Sequence, residues 1–230
     1  MTSNKRKLIQ FKEINTMPCV WQHLRWHSDE LVNHEQQSIK VRDKWNTIFP
    51  AAQPLLLELA CGKAEYTTQL AMQNPKNNYI GIDIKGNRLW HGAQFIVKNN
   101  LTNCLLLRFS ILHITRFFAK NSIREIWITF ADPFPNKIDI KKRLVAPRFL
   151  LIYQELLEEN GVLHIKHDDA SYMQYALEVL PLHGFKIVQY IDDIYKQESV
   201  KSELNSIQTF YESNHLRQGK TIKYLQAQKM

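Results

Sequence analysis

Residues 55–71 read LLLELACGKAEYTTQLA. The apolar run LLLELA (55–60) meets one glycine in ACGKA and passes into AEYTTQLAMQN (64–74), whose apolar residues fall at three- and four-residue steps. That is the pattern of a buried strand, a tight turn and an amphipathic helix. The alternation recurs in YIGIDI (79–84), CLLLR (104–108), EIWITFA (125–131) and GVLHIKH (161–167). Helix-length segments lie between them or follow: RLWHGAQFIVKNN (88–100), APRFLLIYQELLEEN (146–160) and ASYMQYALEVLPLHG (170–184). Short apolar strands alternating with helices predict a parallel sheet with crossover helices. FKIVQYI (185–191) and TIKYLQAQ (221–228) are two further strand candidates, and the polar stretch between them reads as a long loop with a helical turn or two.

The segment before Pro54 is different: polar, studded with aromatic residues, with a helix expected only over Glu35 to Trp45. It reads as a partly flexible N-terminal arm, residues 1–53, ahead of the domain at 54–230. The chain has 230 residues, and its 30 Lys and Arg against 22 Asp and Glu give a net charge of +8, which favours a polyanionic partner. Three widely spaced cysteines without a C-x-x-C pair suggest neither disulfides nor a thiolate metal site and fit the cytoplasm. His23 and His27 lack a third ligand at suitable spacing, so no metal is expected. No apolar run approaches the ~20 residues of a membrane span, and no membrane partner is expected.

In an open parallel sheet, ligands bind outside the carboxyl ends of the strands. Those ends are acidic here: Glu58 lies in the first of these strands, Asp83 ends the second, Asp132 the fourth, and Asp168 and Asp169 the fifth. A carboxylate at Asp83 suits the ribose hydroxyls of either a dinucleotide or S-adenosylmethionine. A pyrophosphate needs G-x-G-x-x-G, whereas this loop has only Gly62, so a sulfonium cofactor is favoured. Cys61 beside it reads as a small buried filler.

The fourth strand runs into ADPFPNK (131–137). Pro133 and Pro135 are expected to hold Asp132 and Phe134 extended, to stop the strand and to aim the Asp132 carboxylate. A charge beside apolar and aromatic neighbours is costly unless it meets a donor, such as a flat base or a cofactor ammonium.

Together LELACGKAEYTTQLA, YIGIDIKGNRLWHGA, IWITFADPFPNKIDIKKRLVAPRFL, GVLHIKHDD and TFYESNHLRQGKTIKYL resemble, in order, the motifs of the bacterial tRNA (guanine-N7-)-methyltransferases. The resemblance spans about Pro54 to Leu225 and is most specific at D-P-aromatic-P followed by K-x-x-x-K-K-R-L. It implies a Rossmann-like class I methyltransferase fold, a mostly parallel seven-stranded sheet with an antiparallel last strand. It also implies S-adenosyl-L-methionine as donor and a guanine of the tRNA variable loop as acceptor. Carried onto this chain, it makes Glu58, Gly62, Asp83, Ser110 and Asp132 cofactor contacts, with Asp132 also the catalytic position. Asn136, Lys137, Asp168 and the run Thr209, Phe210, Tyr211 and Glu212 become substrate contacts. The chain departs from the family at Ser110, where Asp or Asn is usual, at Asn136 and Ile138, where basic residues are common, and in a glycine-poor first loop. Basic residues at 5–7, at 137–143 and at Arg217, Lys220 and Lys223 are expected to meet tRNA phosphates. Trp21 and Trp26 are read as packing residues ahead of base stacking.

Three competing readings follow from the same residues. A non-catalytic RNA-binding protein that kept the fold would account for Ser110 and Asn136. Amino-group methylation would want [DN]-P-P-[YF], an order that Phe134 breaks, and a nicotinamide dehydrogenase would want the missing glycines. A monomer and a homodimer are equally compatible with the sequence.

Overall fold

The computed structural model describes residues 3–25, 27–197 and 202–230; Trp26 lies outside them. Two compact units divide the chain at residue 119.

The first unit starts with helix α1 (Ser3–Glu13), followed by strands β1 (Val20–Gln22), β2 (Glu30–Val32) and β3 (Ser38–Lys40) and the short helix α2 (Trp45–Ile48). Next come β4 (Leu55–Leu59), α3 (Glu65–Gln73), β5 (Asn78–Asp83), α4 (Gly86–Lys98) and β6 (Cys104–Arg108). Its strands lie in the order β3-β2-β1-β6-β5-β4. Pairing is parallel from β1 through β6 and β5 to β4 and antiparallel at β1–β2 and β2–β3.

The second unit holds β7 (Ile123–Thr129), α5 (Pro147–Leu156), β8 (Leu157–His167), α6 (Ala170–Val179), β9 (Phe185–Ile191), α7 (Ser202–Ser206), α8 (Phe210–Arg217) and β10 (Lys223–Lys229). β7 and β8 are parallel, while β10 runs antiparallel to both β8 and β9. The architecture is α/β, with parallel strands carrying crossover helices and a reversed last strand.

All seven expected strands form, and β1 to β3 precede them. The helix expected over Glu35 to Trp45 does not form; that stretch holds β3 and a turn into α2. Asn33 is the reason: its Oδ1 accepts from the backbone N–H of Glu35 (3.0 Å) and Gln37 (2.9 Å), an Asx turn that closes a hairpin and competes with helix. β1 pairs with β6 in register, Val20 opposite Leu106. α1 was not anticipated because it is polar nearly all round, with Leu8 exposed. It docks at its end, where Trp90 Nε1 donates to Glu13 at 2.6 Å and Phe11 lies under the Arg108 guanidinium. The helix expected to reach Asn160 stops at Leu156. The carbonyls of Glu155 and Leu156 accept from Asn121 and Ser122, each at 3.0 Å, and Leu157 already pairs with Ile123.

Gly92 on α4 lets the helix approach the turn after β4. A Cβ there would lie 2.7 Å from both the Lys63 carbonyl oxygen and the Ala64 Cβ. Gly92→Ala is therefore expected to cost about 1–3 kcal/mol of overpacking. At roughly 2–4 °C per kcal/mol for a chain of this size, thermal melting would detect it.

Candidate active site

In the first unit, β4 ends in a turn with three left-handed residues at alternate positions: Ala60 (φ 56°), Gly62 (φ 58°) and Ala64 (φ 55°). Only Gly62 adopts this without strain; for a residue with a Cβ it costs roughly 1–2 kcal/mol. The turn keeps its shape through tertiary bonds. Cys61 N–H donates to Ile82 O (3.0 Å), and Gly62 N–H donates to Asp83 Oδ2 (2.9 Å). The other oxygen of Asp83 accepts from Lys85 N–H at 2.7 Å, so one carboxylate at the end of β5 holds both its own loop and the neighbouring one.

Glu58 is buried within β4 and reaches the start of α3, accepting from the backbone N–H of Thr67 (2.8 Å) and from its hydroxyl. α3 has no side-chain cap of its own, and Glu58 supplies an acceptor and a negative charge at the helix N-terminus. Cys61 is buried, as a filler should be. Burial, then the charges of Glu58 and Asp83, push its thiol far above the ordinary range and leave it a poor nucleophile. Ser110 follows β6 at the start of a 3₁₀ turn, half-buried, and its side chain makes no capping bond.

These residues suit S-adenosylmethionine. A carboxylate has about four lone-pair sites. Asp83 uses two on backbone N–H groups, and no cation pairs with it among the described residues. Arg108 sits opposite Asp83 in the β5–β6 register but turns its guanidinium to Gln22 Oε1 (3.0 Å) and Ile84 O (3.3 Å). Beside Gly62 the space where a Cβ would point is open to 4 Å. Ile84, next to Asp83, leaves 59% of its surface uncovered, an apolar face that sequence reasoning passed over because it continues the strand run. Asp83→Asn removes a charge and turns one acceptor into a donor that faces a backbone N–H. Cofactor affinity is expected to fall about tenfold or more by titration calorimetry, as for a lost charged hydrogen bond of ~1.5–3 kcal/mol.

In the second unit, Asp132 is exposed, and its carboxylate has no hydrogen bond or ion pair among the described residues. β7 ends at Thr129, short of the expected end at Asp132, so the prolines are not what stops it. Phe134 is not extended: its φ is 41°, and that of Phe130 is 48°. Two bulky residues in the left-handed region bracket Asp132, a conformation that persists only where surrounding bonds over-determine it. Arg143 and His167 bond the carbonyls of this stretch. Arg143, expected among the phosphate contacts, is 2% exposed and donates to the carbonyls of Pro133, Phe134 and Ser171, so it is not available to RNA. His167 is buried and bonds Ala131 O.

Asp168 follows β8. Its carboxylate takes Lys220 Nζ at 2.6 Å and stands 3.2 Å from His215 Nδ1 and 3.4 Å from His167 Nδ1. Partial burial works against its charge, but the hydrogen bond from Lys220 outweighs it and holds the acid below the usual carboxylate range. Lys220 is therefore committed to Asp168. Asp169 caps α6, accepting from Tyr172 N–H at 2.7 Å. Asn136 and Lys137 are exposed at the start of a 3₁₀ turn in which Lys142 pairs with Asp139 (2.7 Å).

The TFYE run opens α8. Thr209 is the N-cap, its hydroxyl accepting from Glu212 N–H at 3.1 Å, one half of a capping box. Phe210 and Tyr211 stay exposed, with ring centroids 5.8 Å apart. Glu212 is fully buried: Oε1 accepts from Lys166 Nζ and from Tyr195 OH, each at 2.8 Å. Lys166, a buried lysine in β8, was missed because its partner stands far along the chain. Trp21 packs 6.4 Å from Trp45. Among the described residues no cluster suits a metal ion, and no helix is long and apolar enough to cross a membrane.

A family model described as a putative methyltransferase matches residues 52–225. A tRNA (guanine-N(7)-)-methyltransferase of Christiangramia forsetii is 40% identical over 96% of this chain and 97% of its own. The protein of the same name from Porphyromonas gingivalis is 37% identical over 92% and 85%. Among solved structures, the 16S rRNA methyltransferase KamB aligns with a TM-score of 0.62 at 14% identity, over 84% of this chain and 96% of its own. An antibiotic-related methyltransferase gives 0.58 at 18%, over 79% and 89%. At such identities these two speak for the fold, and it is that of class I methyltransferases. Near-full-length identity to the curated proteins goes further, and on it the chain belongs to the tRNA (guanine-N7-)-methyltransferase family.

Proposed function

We propose that the chain transfers a methyl group from S-adenosylmethionine to N7 of a guanine in the tRNA variable loop, in the cytoplasm. The observation that carries this reading is the 40% identity to a protein of that name over 96% of the chain. Bound S-adenosylmethionine supplies an electrophilic methyl on a sulfonium. N7 of guanine has an in-plane lone pair and no proton, so no side chain has to act as a base. The protein's work is placement and charge. Asp83, with two lone-pair sites to spare, accepts from ribose hydroxyls, and Glu58, Gly62 and Ser110 complete the cofactor contacts. Asp132 contacts the cofactor and, as the catalytic residue, opposes the positive charge that grows on the purine.

Asp168 accepts from the guanine N–H edge, while Asn136 and Lys137 meet the tRNA. Phe210 and Tyr211 are exposed rings suited to stacking on a base. Thr209 and Glu212 serve the same run by capping and anchoring α8. The +8 net charge suits a polyanion, and binding should weaken with salt. The test is borohydride and aniline cleavage of tRNA from cells with and without the gene. Strand scission in the variable loop is expected to vanish without the gene and return when purified protein and S-adenosylmethionine are added. Scission unchanged by the deletion would overturn the reading.

A further inference from the structure

We propose that Arg143 and His167 are positioning residues for Asp132, holding the backbone on both sides of it so that the carboxylate is aimed without being touched. The inference rests on the catalytic role assigned to Asp132 above.

Three carbonyls around Asp132 are tethered. Ala131 O accepts from His167 Nε2 at 2.8 Å, Pro133 O from Arg143 Nε at 2.7 Å, and Phe134 O from Arg143 Nη2 at 3.3 Å. The imidazole is fixed in turn, because its Nδ1 accepts the Asp169 N–H at 2.9 Å, which leaves the proton on Nε2. Burial holds this histidine below its ordinary pKa, so it stays a neutral donor. Tyr172 serves both residues: the His167 ring stacks on it at 4.4 Å and 17°, and the Arg143 guanidinium lies 5.6 Å from its centroid, with Tyr175 at 5.2 Å.

A guanidinium at 2% exposure is an expensive way to fill space. No carboxylate offsets it among the described residues; its partners are three carbonyls and two aromatic faces. What it supplies that an apolar side chain would not is a planar fork that takes two successive carbonyls and sets the peptide between them. That peptide joins Pro133 to Phe134, whose φ of 41° needs outside support. Among the described residues the Asp132 carboxylate has no partner, so its direction follows the backbone that these bonds hold.

The test combines single-turnover methyl transfer with a double-mutant cycle. Arg143→Lys keeps the charge but loses the fork, and with full-length protein and tRNA it is expected to lower the methyl-transfer rate about ten- to a hundredfold, the scale of a ~1 Å misplacement. Cofactor affinity should stay within about threefold, since its other contacts are intact. In an Asp132→Asn background the same change should lower the rate by less than about threefold, because the group it aims is already gone. His167→Leu should behave like Arg143→Lys, and His167→Gln, which restores an N–H donor, should recover most of the rate. If Arg143→Lys fails to fold by circular dichroism, the His167 pair and its own cycle decide. A rate within twofold of wild type for Arg143→Lys and His167→Leu, or losses that multiply with Asp132→Asn, would overturn the inference. Wild-type protein unable to methylate tRNA would instead remove the reading it rests on.

Discussion

Replacing Asp132 with asparagine is expected to lower kcat by about 10²- to 10³-fold, the scale seen when one preorganised electrostatic partner of a transition state is removed. The substitution preserves volume and one acceptor oxygen, so it isolates the charge. Methylation converts a neutral purine into a cation, and a carboxylate nearby lowers the barrier by more than it lowers the energy of the bound substrate. Since N7 carries no proton, a general base is not what is lost. Cofactor affinity should change by no more than about tenfold, the worth of one charged contact. Turnover within threefold of wild type, with cofactor binding unchanged, would show that Asp132 does not act through its charge.

The second large effect concerns stability. Lys166 and Glu212 are both fully buried and 2.8 Å apart, and Lys166 Nζ also donates to the carbonyls of Leu204 and Ile207. One lysine in β8 thus pins α7, α8 and the loop between them. Burial lowers the pKa of the ammonium, and the Glu212 carboxylate opposes that shift. Among the described residues, Lys166→Met would leave the buried carboxylate with Tyr195 alone to satisfy it, since Glu212 Oε2 has no partner there. Removing one member of a buried pair costs about 3–5 kcal/mol. For a chain of this size that corresponds to a fall in Tm of roughly 6–20 °C. The double variant Lys166→Met with Glu212→Leu removes both charges and is expected to regain most of the loss. A single variant that melts with wild type, or a double variant that melts below it, would contradict this account.

Several site features were legible because they are local. The strand, turn and helix at 55–73 follow from apolar spacing and one glycine, and the acidic residues at the end of β5 (Asp83) and after β7 (Asp132) are visible in the sequence. Asn33 misled the reading at 35–45 because a side chain that bonds its own backbone leaves no periodic trace. The strands β1 to β3, at three residues each, are too short to show a period.

Spacing and turn chemistry, which act over a few residues, sufficed for the seven main strands in their order along the chain and for the turn at Gly62. Only tertiary structure decided that Arg143 turns inward to the Pro133 and Phe134 carbonyls while Lys137 stays exposed, that Lys166 meets Glu212, and that Phe134 is left-handed. A basic side chain reads the same in sequence whether it faces water or a carbonyl, since the cost of burying it is met by partners brought close by folding.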